Sequence, residues 1–187
     1  MTPDAAPPED EARPRHAFAG GLIVTALVAL FVANAAFLYH NWSQLKPVPR
    51  GSTAPNIRVP LLGGGDFRLE AERGHPVFVD FWATWCGPCV GEIPNVKAAY
   101  EKLHPKGFEI LGISFDQEKD ALETFVKKKG MTWPQYFDGE GWQNKFGQEF
   151  GINSIPAMWL VDQKGILRDM NARDGLAGKV EKLLAEK

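Results

Sequence analysis

Two cysteines in 187 residues exclude a disulfide-rich scaffold, and they are too few to close a zinc site unless histidines complete it. The four histidines are His16, His40, His75 and His104, and no two stand at the close spacing of paired metal ligands. His75 and His104 read as solvated surface residues flanking a strand and a helix. An excess of either charge is also missing. Lys and Arg number 21 against 23 Asp and Glu, a net charge of −2. That balance excludes a phosphate-driven nucleic-acid binder, which needs a strongly basic face. Apolar residues make up 44% of the chain, so wholesale disorder is excluded too. No internal repeat is present, and the residues call for no cofactor.

What the chain does have is one long apolar run and, after it, a regular alternation of strand and helix patterns. Residues 1–16 are rich in Pro, Asp, Glu and Arg without periodicity and read as a disordered tail. Residues 17–39 carry no charge and match the roughly 20 residues a helix needs to cross a bilayer. Tyr39 and Trp42 fall where interfacial aromatics belong. Two readings apply to this segment: an uncleaved anchor, or a secretory signal cut near Ala33-Asn34-Ala35. The apolar run continues past that site through Phe37, Leu38 and Tyr39, which favours the anchor. Arg13 and Arg15 lie closer to the run than Lys46 and Arg50 do, so the N-terminus is expected on the cytoplasmic side. Either reading exports the rest of the chain, a linker over 40–53 and a domain over 54–187.

Within that domain, Asn56–Leu62 and Asp66–Leu69 predict two short strands around a triple-glycine turn. Pro76–Trp82 is a nearly continuous apolar run, as expected of a central strand buried on both faces. Pro88–His104 predicts a helix with Ile93, Val96, Ala99, Tyr100 and Leu103 inward. Another buried strand is expected over Phe108–Phe115, and a helix over Ala121–Lys129. Gly141–Phe150 predicts a short helix. Ala157–Val161 and Ile166–Met170 flank a hairpin turn, and a final helix buries Leu176, Val180, Leu183 and Leu184. This order describes an α/β domain with a mixed central sheet covered by helices on both faces.

The chemistry sits at one strand-to-helix junction, in Trp85-Cys86-Gly87-Pro88-Cys89. A helix starting near Pro88 points its free N–H groups and positive dipole end at the Cys86 sulfur. That favours the thiolate and makes Cys86 the nucleophile. Pro88 suits the first turn, where its missing N–H costs nothing. Cys89, one turn on, is placed to resolve a mixed disulfide formed by Cys86. As a mere staple the pair closes too short a loop to stabilise much, and no second Cys pair completes a metal site. Asp80 interrupts the apolar central strand six positions before Cys86. A carboxylate buried there without a partner is costly and titrates late. The alternative is an Asp paired with a lysine.

The segment from Val79 to Cys89 resembles the active site of the thioredoxin superfamily, and Ile155-Pro156 resembles its cis-proline loop. The finer resemblance is to the membrane-anchored TlpA/ResA branch, which includes proteins serving cytochrome c maturation. It rests on the N-terminal apolar segment with Thr53-Ala54-Pro55 after it and on the extra β-hairpin. The added sequence before Pro156 and Glu92-Ile93-Pro94 after Cys89 complete it. The resemblance implies a thioredoxin-like fold with that N-terminal hairpin extension, preceded by one transmembrane helix. It implies a redox-active Cys86–Cys89 disulfide, with Asp80 assisting proton transfer to and from Cys89 and Glu92 tuning cysteine reactivity. Trp85, Gly87, Pro88, Ile155 and Pro156 become the contacts for substrate, with the Ile155 backbone pairing with an extended segment of the client. Trp82 packs beneath the motif. Trp133, Trp142 and Phe137 either line a substrate groove or close a satellite core.

The expected activity is thiol–disulfide exchange on exported proteins, outside the cytoplasm. The Gly-Pro dipeptide resembles that of reducing thioredoxins, so reduction is expected, recharged by a membrane thiol reductase of the DsbD/CcdA type. A peroxidase of the peroxiredoxin type is the alternative of similar fold. It needs Thr and Pro where Ala83 and Val79 stand. Haem attachment needs His where Val90 stands, which disfavours a metal- or haem-handling binding protein.

Overall fold

The computed structural model describes residues 17–40 and 48–186. The expected tail over 1–16, Trp42 and the linker residues 41–47 lie outside them. The chain divides into two compact units, one ending at Ser43 and one from Gln44 to the C-terminus. In the first, α1 (Ala17–His40) is a helix of 24 residues without a charged side chain. Ile23, Val24, Leu27 and Phe31 are exposed along it. Over the described residues alone, no helix has the length and hydropathy of a membrane span.

The second unit opens with the expected hairpin. β1 (Arg58–Pro60) and β2 (Asp66–Arg68) pair antiparallel around the glycine turn, with Val59 and Phe67 inward. Beyond it, a five-stranded sheet is built on β3 (Val77–Trp82), all six residues of which are buried. Its neighbours are β4 (Glu109–Ser114), parallel, and β6 (Ala157–Val161), antiparallel. β5 (Gln135–Tyr136) and β7 (Leu167–Asp169) form the edges, giving the order β5-β4-β3-β6-β7. β5 is the element the pattern did not predict. Two residues carry no periodicity, and only pairing with Gly112 and Ile113 of β4 makes them a strand.

The helices are α2 (Gly87–Leu103), α3 (Lys119–Lys129), α4 (Lys145–Phe150) and α5 (Leu176–Ala185). Neighbouring side chains of β3 point to opposite faces. Phe81 meets Phe150 of α4 edge-on at 6.4 Å, while Trp82 meets Phe125 of α3 at 5.8 Å. α2 packs against α5. Both faces are thereby covered, as the strand and helix order predicted.

One close approach in this sheet needs a glycine. The Gln135 side chain crosses β4 to accept a hydrogen bond from the buried Trp82 Nε1 at 3.1 Å. A Cβ at Gly112 would stand 2.1 Å from the Gln135 Oε1. Gly112→Ala is therefore expected to push Gln135 aside and leave the Trp82 N–H unsatisfied, at about 1–3 kcal/mol. Thermal unfolding checks it: a melting temperature unchanged from wild type would remove Gln135 from its supporting role.

Candidate functional site

The register of β3 collects the site at one end of the sheet. Trp82 lies beside Ser114 of β4, and Phe81 beside Ala157 of β6. The dithiol loop leaving β3, the segment leaving β4 and the Ile155–Pro156 loop entering β6 therefore emerge together. The Ile155–Pro156 peptide bond is cis, and both residues are half-buried.

Cys86 and Cys89 are joined in a disulfide, with Cα atoms 5.2 Å apart. Cys86 is the N-cap of α2, and its sulfur accepts a hydrogen bond from the Cys89 N–H at 3.2 Å. Gly87 and Pro88 occupy the first positions of the helix, where a missing N–H is harmless. Once the disulfide is reduced, the same N–H and the helix dipole stabilise negative charge on the Cys86 sulfur. The cysteine residues are 5% and 3% exposed. Gly87 and Pro88 between them are exposed, as is Trp85.

A residue that sequence reasoning passed over holds the approach to the motif. Asp116, buried just after β4, accepts from the Thr84 N–H at 3.1 and 3.2 Å and from the Thr84 hydroxyl at 2.5 Å. The Ser114 hydroxyl donates to it at 2.8 Å. A carboxylate with this many donors is a fixed post, and it pins the residue two before Cys86. Nothing local marks it in the sequence, because its partner Thr84 is 32 residues away.

Asp80 is buried on the face of β3 shared with Trp82, and its Oδ1 has no hydrogen-bond partner. Among the described residues no lysine or arginine forms an ion pair with it. Burial, aided by the negative charge of Glu92, pushes its carboxyl from the ordinary 3.8 up to about 7. Glu92, in the second turn of α2, is in the opposite condition. Asn95 donates to it at 3.0 Å and Arg173 at 2.7 Å. The Asn95 hydrogen bond first, and the Arg173 guanidinium with it, hold its carboxyl below the usual range. So Glu92 stays ionised, and its charge helps raise Asp80, which titrates near neutral pH. Arg173 comes from the segment between β7 and α5 and was invisible to a local reading.

The aromatic candidates separate. Trp133 is buried in the core against Tyr100 of α2, at 5.6 Å. Phe137 packs partly buried at the core's margin. Trp142 is exposed and lies 6.0 Å from Trp85. Among the described residues no cluster of three His, Cys, Asp or Glu converges as a metal site would require.

Residues 50–170 match the model of the AhpC/TSA family. The chain belongs to the AhpC/TSA family. Within this thioredoxin-like family it is similar to thiol-disulfide oxidoreductases named ResA. It is 33% identical over 140 residues to that of Geobacillus thermodenitrificans, covering 74% of this chain and 79% of the relative. With that of Geobacillus kaustophilus the figure is 31% over 145 residues, covering 77% and 82%. Among solved structures, the thioredoxin domain of a Bacteroides vulgatus thiol-disulfide oxidoreductase superposes with a TM-score of 0.67 at 29% identity. That match spans 73% of this chain and 99% of the other. A thiol:disulfide interchange protein from a Bacteroides species gives 0.64 at 28% identity, spanning 73% and 91%. The chain is a thiol-disulfide oxidoreductase of ResA type, with Cys86 and Cys89 as its cysteine pair. Where an AhpC/TSA peroxidase of the peroxiredoxin type would need Pro and Thr, this member buries Val79 and Ala83.

The titration of Asp80 has a consequence for stability. Its carboxyl is raised in the fold, so the protonated form is the stabilising one. That contribution is complete below pH 3.8 and is lost as the pH rises through about 7. Asp80→Asn, neutral throughout, is therefore expected to be more stable than wild type at pH 8 by about 2–4 kcal/mol. The advantage should shrink toward pH 4. Denaturant unfolding of the oxidised proteins across that range reads it, and a pH-independent difference would contradict the burial account.

Proposed function

We propose that this protein is a membrane-anchored, extracytoplasmic reductant of disulfides in exported proteins, in the setting that cytochrome c maturation exemplifies. The observation that carries the reading is a helix-capping Cys-Gly-Pro-Cys pair on a chain whose N-terminal unit contains an uncharged 24-residue helix, α1. The exposed apolar side chains of α1 favour a lipid environment. The positions of Arg13 and Arg15 favour export of the domain.

In the reduced protein the Cys86 thiolate attacks a client disulfide and forms a mixed disulfide, releasing one client sulfur as a thiolate. Cys89 loses its proton to Asp80, which is buried on β3, feels the charge of Glu92 and titrates near neutral pH. The Cys89 sulfur then attacks Cys86, closes the Cys86–Cys89 disulfide and frees the second client thiolate. Two electrons pass to the client, whose sulfurs take up the protons. Glu92 tunes the step through its charge on Asp80. Trp85, Gly87, Pro88, Ile155 and Pro156 present the client, whose extended segment pairs with the Ile155 backbone. Each cycle leaves this protein oxidised. Outside the cytoplasm the electrons must come through the membrane, from a thiol reductase of the DsbD/CcdA type.

A Cys89→Ala variant should accumulate its client as a mixed disulfide on Cys86, recoverable from membranes and identifiable by mass spectrometry. Greater capture by Cys86→Ala would reverse the two roles. The reduction potential should fall at about −200 mV or lower. A value near the roughly −120 mV of a strong oxidant such as DsbA would overturn the direction.

A further inference from the structure

In the second unit, among the described residues, two large apolar side chains are exposed: Trp85 at 55% and Trp142 at 43%. They are in contact, with ring centroids 6.0 Å apart and planes inclined by 52°. Among the described residues, every other large apolar side chain exposed to this degree lies on α1. Two adjacent indoles left in water forgo substantial burial energy, and one of them is the residue before Cys86.

Trp142 is held in place from beneath. Its ring stands edge-on against the fully buried Phe115 at 5.3 Å. Gly147 makes room for that support, since a Cβ there would come within 2.8 Å of the Phe115 ring. The backbone around Trp142 is tied as well. Gln148 donates to the Trp142 carbonyl at 2.8 Å. The buried Asn144 donates to the Ser114 carbonyl at 3.2 Å and to Asp138 at 3.0 Å, and caps α4 through the Phe146 and Gly147 N–H groups. An exposed aromatic on so braced a turn is presented in advance, at low entropic cost to whatever binds it.

We propose that Trp142 is a specificity-determining residue. Its indole and that of Trp85 form one apolar face beside Cys86, which takes an aromatic or long aliphatic side chain carried by the client next to its reducible cysteine. This rests on the thiol–disulfide exchange described above. A disulfide that reaches Cys86 must come alongside Trp85, so the occupant of the face is the disulfide-bearing polypeptide itself. Buried tryptophans at the centre of an interface carry a large share of its binding energy.

The test uses the reduced full-length chain in detergent and two synthetic peptides, each closed by one disulfide. One has Phe and Leu beside its cysteines, the other Ser and Gly. For wild type the Phe/Leu peptide should be reduced faster. In Trp142→Ala the ratio of the two rate constants should fall about tenfold, and Trp142→Phe should retain most of it. A ratio unchanged in Trp142→Ala, or an equal fall for both peptides, would overturn the proposal. If wild type reduces neither peptide, the exchange reading falls and this proposal with it, a result visible in the wild-type arm alone.

Discussion

Pairing of β3 on both edges is the constraint on which the site depends. Because β4 runs parallel to β3 and β6 antiparallel, the C-terminal ends of the first two strands meet the start of the third. Three segments far apart in sequence are thereby brought to one rim: the dithiol loop, the Asp116 turn and the Ile155–Pro156 loop. A one-residue slip would send Asp80 and Trp82 to the opposite face. That outcome is opposed by six consecutive buried side chains, whose packing on both faces fixes the register.

The electrostatics grow from the same frame. A carboxyl in the middle of a sheet is largely cut off from water, and among the described residues no cation pairs with Asp80 to offset the cost. Burial therefore raises its carboxyl to about 7, whereas Glu92 on α2 is kept ionised by Asn95 and Arg173. The two carboxyls thus respond in opposite directions, one raised by burial and one lowered by its partners. Asp116 has a third role, accepting hydrogen bonds that hold the Thr84 backbone and hydroxyl.

Much of this was legible in the residues. The apolar run with one acid in it, the Cys-Gly-Pro-Cys at its end and the helical spacing from Ile93 to Leu103 each rest on local pattern. Each appears in the structure within a residue or two of its expected bounds. Gly141–Phe150 was expected as one helix and is a short 3-10 turn followed by α4, because Asn144 breaks the helix and caps the second part. β5, Asp116 and Arg173 were not legible, since each is defined by a partner distant in sequence. Trp133 and Trp142, left open between core and groove, lie in different places. Trp133 packs against Tyr100, and Trp142 stops at the surface over Phe115.

The sequence by itself determined the type of chemistry, a vicinal dithiol capping a helix, because the motif's parts lie within one turn of each other and need no distant partner. It also determined the α/β class, through periodicities written along the chain. Only the tertiary structure decided which groups surround the dithiol and in what state. Burial, which sets the protonation of Asp80, and the pairing of Glu92 with Arg173 are properties of packed surfaces. So is the meeting of two tryptophans 57 positions apart in the chain, Trp85 and Trp142.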